Sequence, residues 1–140
     1  MRKILIICAI AIGFIACEKG PGEGGTSVIE GKVIYFERTL DQATLQIDTH
    51  EYPKAGKDVF IIYSDDEAGV YDDKFETDYN GRYRFEFLRK GDYTIYLHKD
   101  TTVVTGEESE YTYELPIYKY IKIKDDNSVN TVTDFVIENN

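Results

Sequence analysis

Five segments of this chain alternate apolar and polar side chains with a period of two. Their apolar positions are Ile29, Gly31, Val33 and Tyr35; Val59, Ile61 and Tyr63; Tyr83, Phe85 and Phe87; Tyr93, Ile95 and Leu97; and Ile121 and Ile123. Successive side chains of a strand point to opposite faces, so each segment is predicted to be a strand with one core face. The many β-branched and aromatic residues in these segments also favour strands.

Turn sequences separate the predicted strands. In chain order they are Asn80-Gly81, Lys90-Gly91-Asp92 and Asp125–Ser128. Seven or eight short strands joined in this way predict an all-β fold, an antiparallel Greek-key sandwich. Two longer polar stretches, Arg38–Lys57 and Lys99–Pro116, are predicted to be loops. Within the first of them, Thr44–Asp48 is the candidate for a short edge strand.

The order of these elements resembles a known family. The matching segments are Ile29–Val33, Ala55–Ile61, Thr77–Phe85, Leu88–Ile95 and Val132–Ile137. Together they are similar to the carboxypeptidase regulatory-like domain, a β-sandwich of the transthyretin (prealbumin) type. The resemblance implies a structural or accessory module rather than an enzyme, although a fold does not by itself fix a function.

The first residues have the pattern of a secretory signal. Arg2 and Lys3 precede the apolar run Ile4–Ala16, which is too short to span a bilayer. Phe14-Ile15-Ala16-Cys17 resembles the lipobox of bacterial lipoproteins, which implies cleavage before Cys17 and acylation of its thiol. The alternative is an ordinary signal peptide that happens to contain a cysteine.

These signals divide the chain into three parts. Residues 1–16 are predicted to be the lipoprotein signal peptide, residues 17–26 the lipidated Cys17 with a flexible glycine-rich tether, and residues 27–140 the β-sandwich domain. A flexible tether of nine residues, Glu18–Thr26, has a root-mean-square reach of about 17 Å. The expected location is the outer membrane or the cell surface, with the membrane contacted through the N-terminal lipid.

Charge and cysteine content exclude several functions. The formal net charge is −10, which repels nucleic acid. Cys8 leaves with the signal peptide and Cys17 carries the lipid, so the domain has no thiol for a disulfide, a thiolate metal site or cysteine catalysis. Another envelope protein or a surface glycan is the expected partner, and no cofactor is expected.

Calcium is the one metal that the sequence leaves open. Carboxylates are concentrated before and within the turn at Asn80, and Ca²⁺ takes six to eight oxygen ligands, commonly from loops. The candidate ligands are Asp65, Asp66, Asp72, Asp73 and Asp78. The alternative interpretation is a solvated acidic loop followed by a turn in which an Asp side chain bonds the backbone.

Tyrosine is the other enriched residue, with 12 Tyr and no Trp. Tyr111, Tyr113, Tyr118 and Tyr120 recur at a spacing of two. Tyr118 and Tyr120 are candidate ligand-binding residues, because an exposed aromatic strip can stack on sugar faces or anchor a protein interface. The alternative, which we expect here, is that these rings pack beneath the loop Lys99–Pro116.

Neither histidine has metal-ligand spacing around it, and His98 shares a predicted outward face with Tyr96 and Thr94. No nucleophile or phosphate-loop motif is present, so no catalytic residue is assigned. The sequence therefore indicates a non-catalytic, lipid-anchored envelope protein that acts as a scaffold or binds a ligand. A Ca²⁺-dependent adhesion or carbohydrate-binding module and an enzyme of unrecognised type are the alternatives.

Overall fold

The computed structural model describes residues 19–105 and 109–138, which form strands and no helix. The strands are β1 (Glu23–Asp41), β2 (Gln46–Pro53), β3 (Asp58–Ile62), β4 (Asp73–Glu76), β5 (Arg82–Leu88), β6 (Gly91–Thr105), β7 (Ser109–Ile123), β8 (Val129–Thr131) and β9 (Phe135–Glu138). The predicted signal peptide and Cys17 lie outside the described residues. Within those residues, no helix is long and apolar enough to cross a membrane.

The first sheet is organised around the long strand β1. One edge of β1 pairs antiparallel with β5 over its first half and with β2 over its second half. Its other edge pairs in parallel with β8 and then with β9. Four strands therefore depend on a single 19-residue strand for their hydrogen bonds.

The second sheet has the order β4-β3-β6-β7, and all its neighbours are antiparallel. The alternating residues of both sheets meet in a core that includes Ile29, Val33, Val59, Ile61, Tyr83, Phe85, Tyr93, Ile95, Leu97 and Ile123. The predicted all-β sandwich and these inward positions are confirmed. The described residues form nine strands rather than seven or eight, and two of the pairings are parallel.

One predicted core position is wrong. Phe87 is 68% exposed with φ = 58°, and the next residue, Leu88, is buried instead. The pairing of β5 with β1 shifts register beside Leu88, which opposes both Glu23 and Ser27. This irregularity interrupts the two-residue period and turns the Phe87 ring outward.

The two predicted loops are also corrected, because both are hairpin arms. β1 and β2 pair continuously out to Asp41 and Gln46, and β6 and β7 pair out to Thr105 and Ser109. The candidate edge strand at Thr44–Asp48 exists but begins at Gln46 and continues to Pro53. Backbone hydrogen bonds between the paired strands hold each arm.

The predicted flexible tether is corrected as well. β1 starts at Glu23, inside the segment assigned to the tether. A Cβ at Gly25 would lie 2.0 Å from the carbonyl oxygen of Leu88, and a Cβ at Gly91 would lie 2.8 Å from Pro21. These glycines allow close backbone packing, which composition alone does not distinguish from flexibility.

Two buried tyrosines provide a matched test of this packing. The Tyr93 hydroxyl donates to the Arg89 carbonyl at 2.6 Å and accepts from the Gly22 N–H at 2.9 Å. The Tyr83 hydroxyl, which a Cβ at Gly31 would approach to 2.4 Å, has no hydrogen-bond partner within the described part of the chain. Burial raises the pKa of both phenols.

We predict opposite effects when each of these hydroxyls is removed. Tyr93→Phe leaves the Gly22 N–H without its acceptor and should lower the free energy of unfolding by about 2 kcal/mol. Tyr83→Phe removes an unpaired buried hydroxyl and should raise it by about 1 kcal/mol. Urea denaturation of both variants measures the difference. An equal loss of stability in the two would contradict this account of the packing.

Candidate functional site

The second sheet carries aromatic side chains on the face that points away from the core. Phe60 of β3, Tyr96 of β6 and Tyr118 of β7 lie opposite one another in the ladder. Each alternates with inward residues of its own strand, such as Ile95 and Leu97 beside Tyr96. The period of two therefore places this ring row on the solvent side of the sheet.

Two further rings complete the cluster. The ring centroids of Phe60 and Tyr96 are 5.0 Å apart in a stacked arrangement, and those of Tyr96 and Tyr118 are 5.3 Å apart. Tyr71, from the β3–β4 connection, lies 4.9 Å from Phe60. His98 meets both Phe60 and Tyr96 edge-on at 5.5 Å. We call Phe60, Tyr71, Tyr96, His98 and Tyr118 the aromatic face.

The aromatic face is partly open to solvent. Tyr71 is 45% exposed and Tyr96, at the centre, is 9% exposed, while the other three rings are half-buried. Burial, followed by the nearby Tyr118 and Tyr71, raises the pKa of Tyr96. Its phenol is therefore neutral at physiological pH, so the centre of the face is uncharged and suited to apolar stacking.

Carboxylate-lined recesses flank the aromatic face along the strands. One recess, of about 310 Å³, is bounded by Phe60 and His98. Its carboxylates are Asp58, Glu76 and Glu114, and Asp58 forms an ion pair with Lys74 at 3.0 Å. The other recess, of about 510 Å³, lies beside Tyr120 and includes Asp65, Asp92 and Lys122. The first recess thus borders the stacked rings directly, and the second lies one row beyond Tyr118, at Tyr120.

The structure separates the four tyrosines of the sequence pattern. Tyr118 belongs to the aromatic face, and Tyr120, 55% exposed, lies one row further along β7 opposite Thr94. Tyr111 and Tyr113 lie on the β6–β7 arm and are 63% and 45% exposed. The expectation that these rings pack under a loop is wrong, because that loop is the arm that carries Tyr111 and Tyr113.

Phe60 and Tyr71 were not among the candidate residues, and His98 was predicted to be a surface residue on the outward face that it shares with Tyr96 and Thr94. The alternation of Val59, Ile61 and Tyr63 implies an outward-facing Phe60, and the structure agrees. Alternation does not predict the register of β3 against β6, and this register brings Phe60 beside Tyr96. Tyr71 lies in a connection with no periodic pattern, so its position could not be predicted from the sequence.

The calcium candidates do not converge. The described residues contain no group of three or more His, Cys, Asp or Glu side chains placed to hold a metal ion. The carboxylates of Asp66, Asp72 and Asp73 accept backbone N–H groups of Ala68, Tyr63 and Lys74, respectively. Asp78 accepts from both Asn80 and Arg82 at 2.8 Å, as in an Asx turn, and Asp65 lines the recess beside Tyr120.

A second groove, of about 570 Å³, lies against the first sheet beside Phe75 and Tyr83. Among its charged side chains, Arg84 binds the Glu30 carboxylate at 2.5 Å, and it also binds Glu86 at 2.6 Å. Tyr83 in this groove is only 1% exposed, so the groove offers a ligand less open aromatic surface than the aromatic face does.

Comparison of the sequence with protein-family models and with curated proteins found no significant match. Among solved structures, the chain is similar to a Pseudomonas aeruginosa protein described as a "putative carbohydrate binding protein". The two share 15% sequence identity over 82% of this chain and 90% of that chain, with a TM-score of 0.49.

We predict that Ca²⁺ leaves the stability of the protein unchanged. Backbone N–H groups of local turns already engage the candidate carboxylates, and no set of six oxygens converges among the described residues. Thermal denaturation in millimolar Ca²⁺ and in a chelator should give the same melting temperature. A rise that Asp72→Asn abolishes would show that these loops do bind the ion.

Proposed function

We propose that this chain is a non-catalytic, lipid-anchored module of the cell envelope, a Greek-key sandwich of the prealbumin type, that binds carbohydrate. The observation that carries this proposal is the aromatic face. Its rings lie on the solvent side of a sheet whose opposite side already forms the core. They are therefore not needed to close the sandwich, and the partly open rings of Tyr71 and Tyr118 are available to a ligand.

The chemistry of the aromatic face suits a sugar. A pyranose ring presents a surface of C–H groups bordered by hydroxyls, so it can stack on an aromatic ring while its rim bonds polar groups. Tyr71 and Tyr118 supply rings with open surface. Glu76 and Glu114 on one side, and Asp65 on the other, supply carboxylates that accept hydrogen bonds from sugar hydroxyls.

The distance between the two recesses favours an oligosaccharide over a single sugar. Tyr120 and Glu114 belong to the two flanking recesses and are six residues apart on β7. At about 3.4 Å per residue, they lie about 20 Å apart along the strand. This is longer than one sugar ring, so a chain of sugars can occupy the recesses and the aromatic face together.

Net charge supports a neutral ligand over a polyanion. The chain carries a formal charge of −10, and the recesses beside the rings add carboxylates close to the binding surface. A phosphate backbone would be repelled at that surface, whereas an uncharged glycan would not.

The anchor in this proposal is the acylated Cys17 that the lipobox-like segment implies.

Two single substitutions on the aromatic face test carbohydrate binding. Tyr71→Ala and Tyr118→Ala each remove one partly open ring without deleting a core residue. Each should weaken binding about tenfold, the equivalent of about 1.4 kcal/mol and within the range for loss of an aromatic contact. Calorimetry and affinity electrophoresis with cello-, chito- and xylo-oligosaccharides measure the effect.

The matched control is Tyr79→Ala, which removes an 82% exposed tyrosine from the turn between β4 and β5. It should leave binding unchanged. If the wild-type protein binds none of these oligosaccharides, or if the control weakens binding as much as Tyr118→Ala does, carbohydrate binding by the aromatic face is contradicted.

A further inference from the structure

A recess at the N-terminal end of the sandwich has a basic lining, although the chain as a whole is acidic. This surface recess is lined by Lys19, Arg89, Lys90, Lys122 and Lys124 and by a single carboxylate, Asp126. In the whole sequence, acidic residues outnumber Lys and Arg by 26 to 16. We call these five cationic residues the basic pole.

The segment that enters the basic pole is held rigidly. The Arg89 guanidinium donates to the carbonyl oxygens of Gly20, at 2.8 Å, and of Glu23 and Pro21. The Tyr93 hydroxyl accepts from the Gly22 N–H, and the Arg89 N–H donates to the Gly22 carbonyl at 2.9 Å. From Gly20 onward, the chain is therefore part of the folded domain.

This rigidity leaves little chain between the domain and the proposed lipid. Cys17 is only two residues before Lys19, so at most about 7 Å of extended chain separates them. The headgroup layer on each side of a bilayer is itself about 5–7 Å thick. An acylated Cys17 would accordingly hold the basic pole within the headgroups rather than clear of them.

We infer that the basic pole docks on the phosphate layer of the membrane that carries the lipid anchor. This inference rests on the anchoring part of the proposed function. Lys90 and Lys122 form exposed ion pairs with Asp126, at 3.1 Å, and with Asp92, at 2.9 Å. The Arg89 contacts described above are to uncharged carbonyls, and the part of the chain that the structure describes shows no ion pair of this side chain.

Docking at this pole orients the rest of the molecule. β1 runs away from the pole for 19 residues, about 60 Å of strand at about 3.3 Å per residue. β6 also starts at the pole, at Gly91, and runs to the tip of the other arm. The two hairpin arms therefore project away from the bilayer, and the aromatic face stands on the flank, where a glycan can reach it.

Site-specific quenching in vesicles tests this orientation. Full-length acylated protein is reconstituted in vesicles of phosphatidylethanolamine and phosphatidylglycerol that contain a headgroup-labelled quencher lipid. A fluorophore is attached through Asp125→Cys, beside the pole, or through Ala43→Cys, at the tip of the β1–β2 arm. With Cys17 acylated, the introduced cysteine is the one free thiol of the processed chain.

The probe at position 125 should be quenched several-fold more than the probe at position 43. Lys19→Glu combined with Lys124→Glu should reduce quenching at position 125 at least twofold while the protein remains on the vesicles. The control, Lys32→Glu with Lys99→Glu, makes the same change in net charge away from the pole and should leave quenching unchanged.

Two results would overturn the inference in distinguishable ways. Equal quenching at positions 125 and 43, or no effect of the pole charges in protein that still floats with the vesicles, would refute docking by the basic pole and leave the anchor intact. Failure of the wild-type protein to float with the vesicles would refute the proposed anchor and the docking together.

Discussion

The alternation of side chains along β6 is the constraint on which both the core and the candidate site depend. β6 pairs with β3 along one edge and with β7 along the other. Its two faces are therefore left to contact the core and the solvent. Tyr93, Ile95 and Leu97 point inward and are almost fully buried. Because residues between them must point outward, Tyr96 and His98 are placed on the solvent side. One face of β6 thus contributes to the core of the sandwich, and its other face contributes Tyr96 and His98 to the aromatic face.

The period of two predicts most of the strands and their inward residues. The features that it could not predict depend on contacts between segments that are distant in the sequence. Alternation identified the inward residues of five strands and placed Tyr118 on an outward face. It could not predict the register that sets Phe60 beside Tyr96, nor the irregularity that exposes Phe87. The hairpin arms were missed for a different reason, because most of their described residues lie outside the core and their polar composition is also typical of loops.

Glycine composition was the most misleading signal in the chain. The run from Gly20 to Gly25 has the composition of a flexible linker, yet Gly22 and Gly25 pack against Tyr93 and Leu88. The same property, the missing Cβ, serves flexibility in a linker and close approach in a fold. If Cys17 carries the proposed lipid, this ordered N-terminal segment would fix how the domain stands on its membrane.

The central claim is that the aromatic face itself receives the ligand. The most direct measurement is the change in aromatic ring-proton chemical shifts during titration with an oligosaccharide of the panel. The account predicts that the shifts are concentrated on Phe60, Tyr71, Tyr96, His98 and Tyr118, with Tyr120 at the border. Shifts at Tyr111 and Tyr113 of the arm, or at Phe75 and Tyr83 of the first-sheet groove, with the aromatic face unchanged, would contradict it.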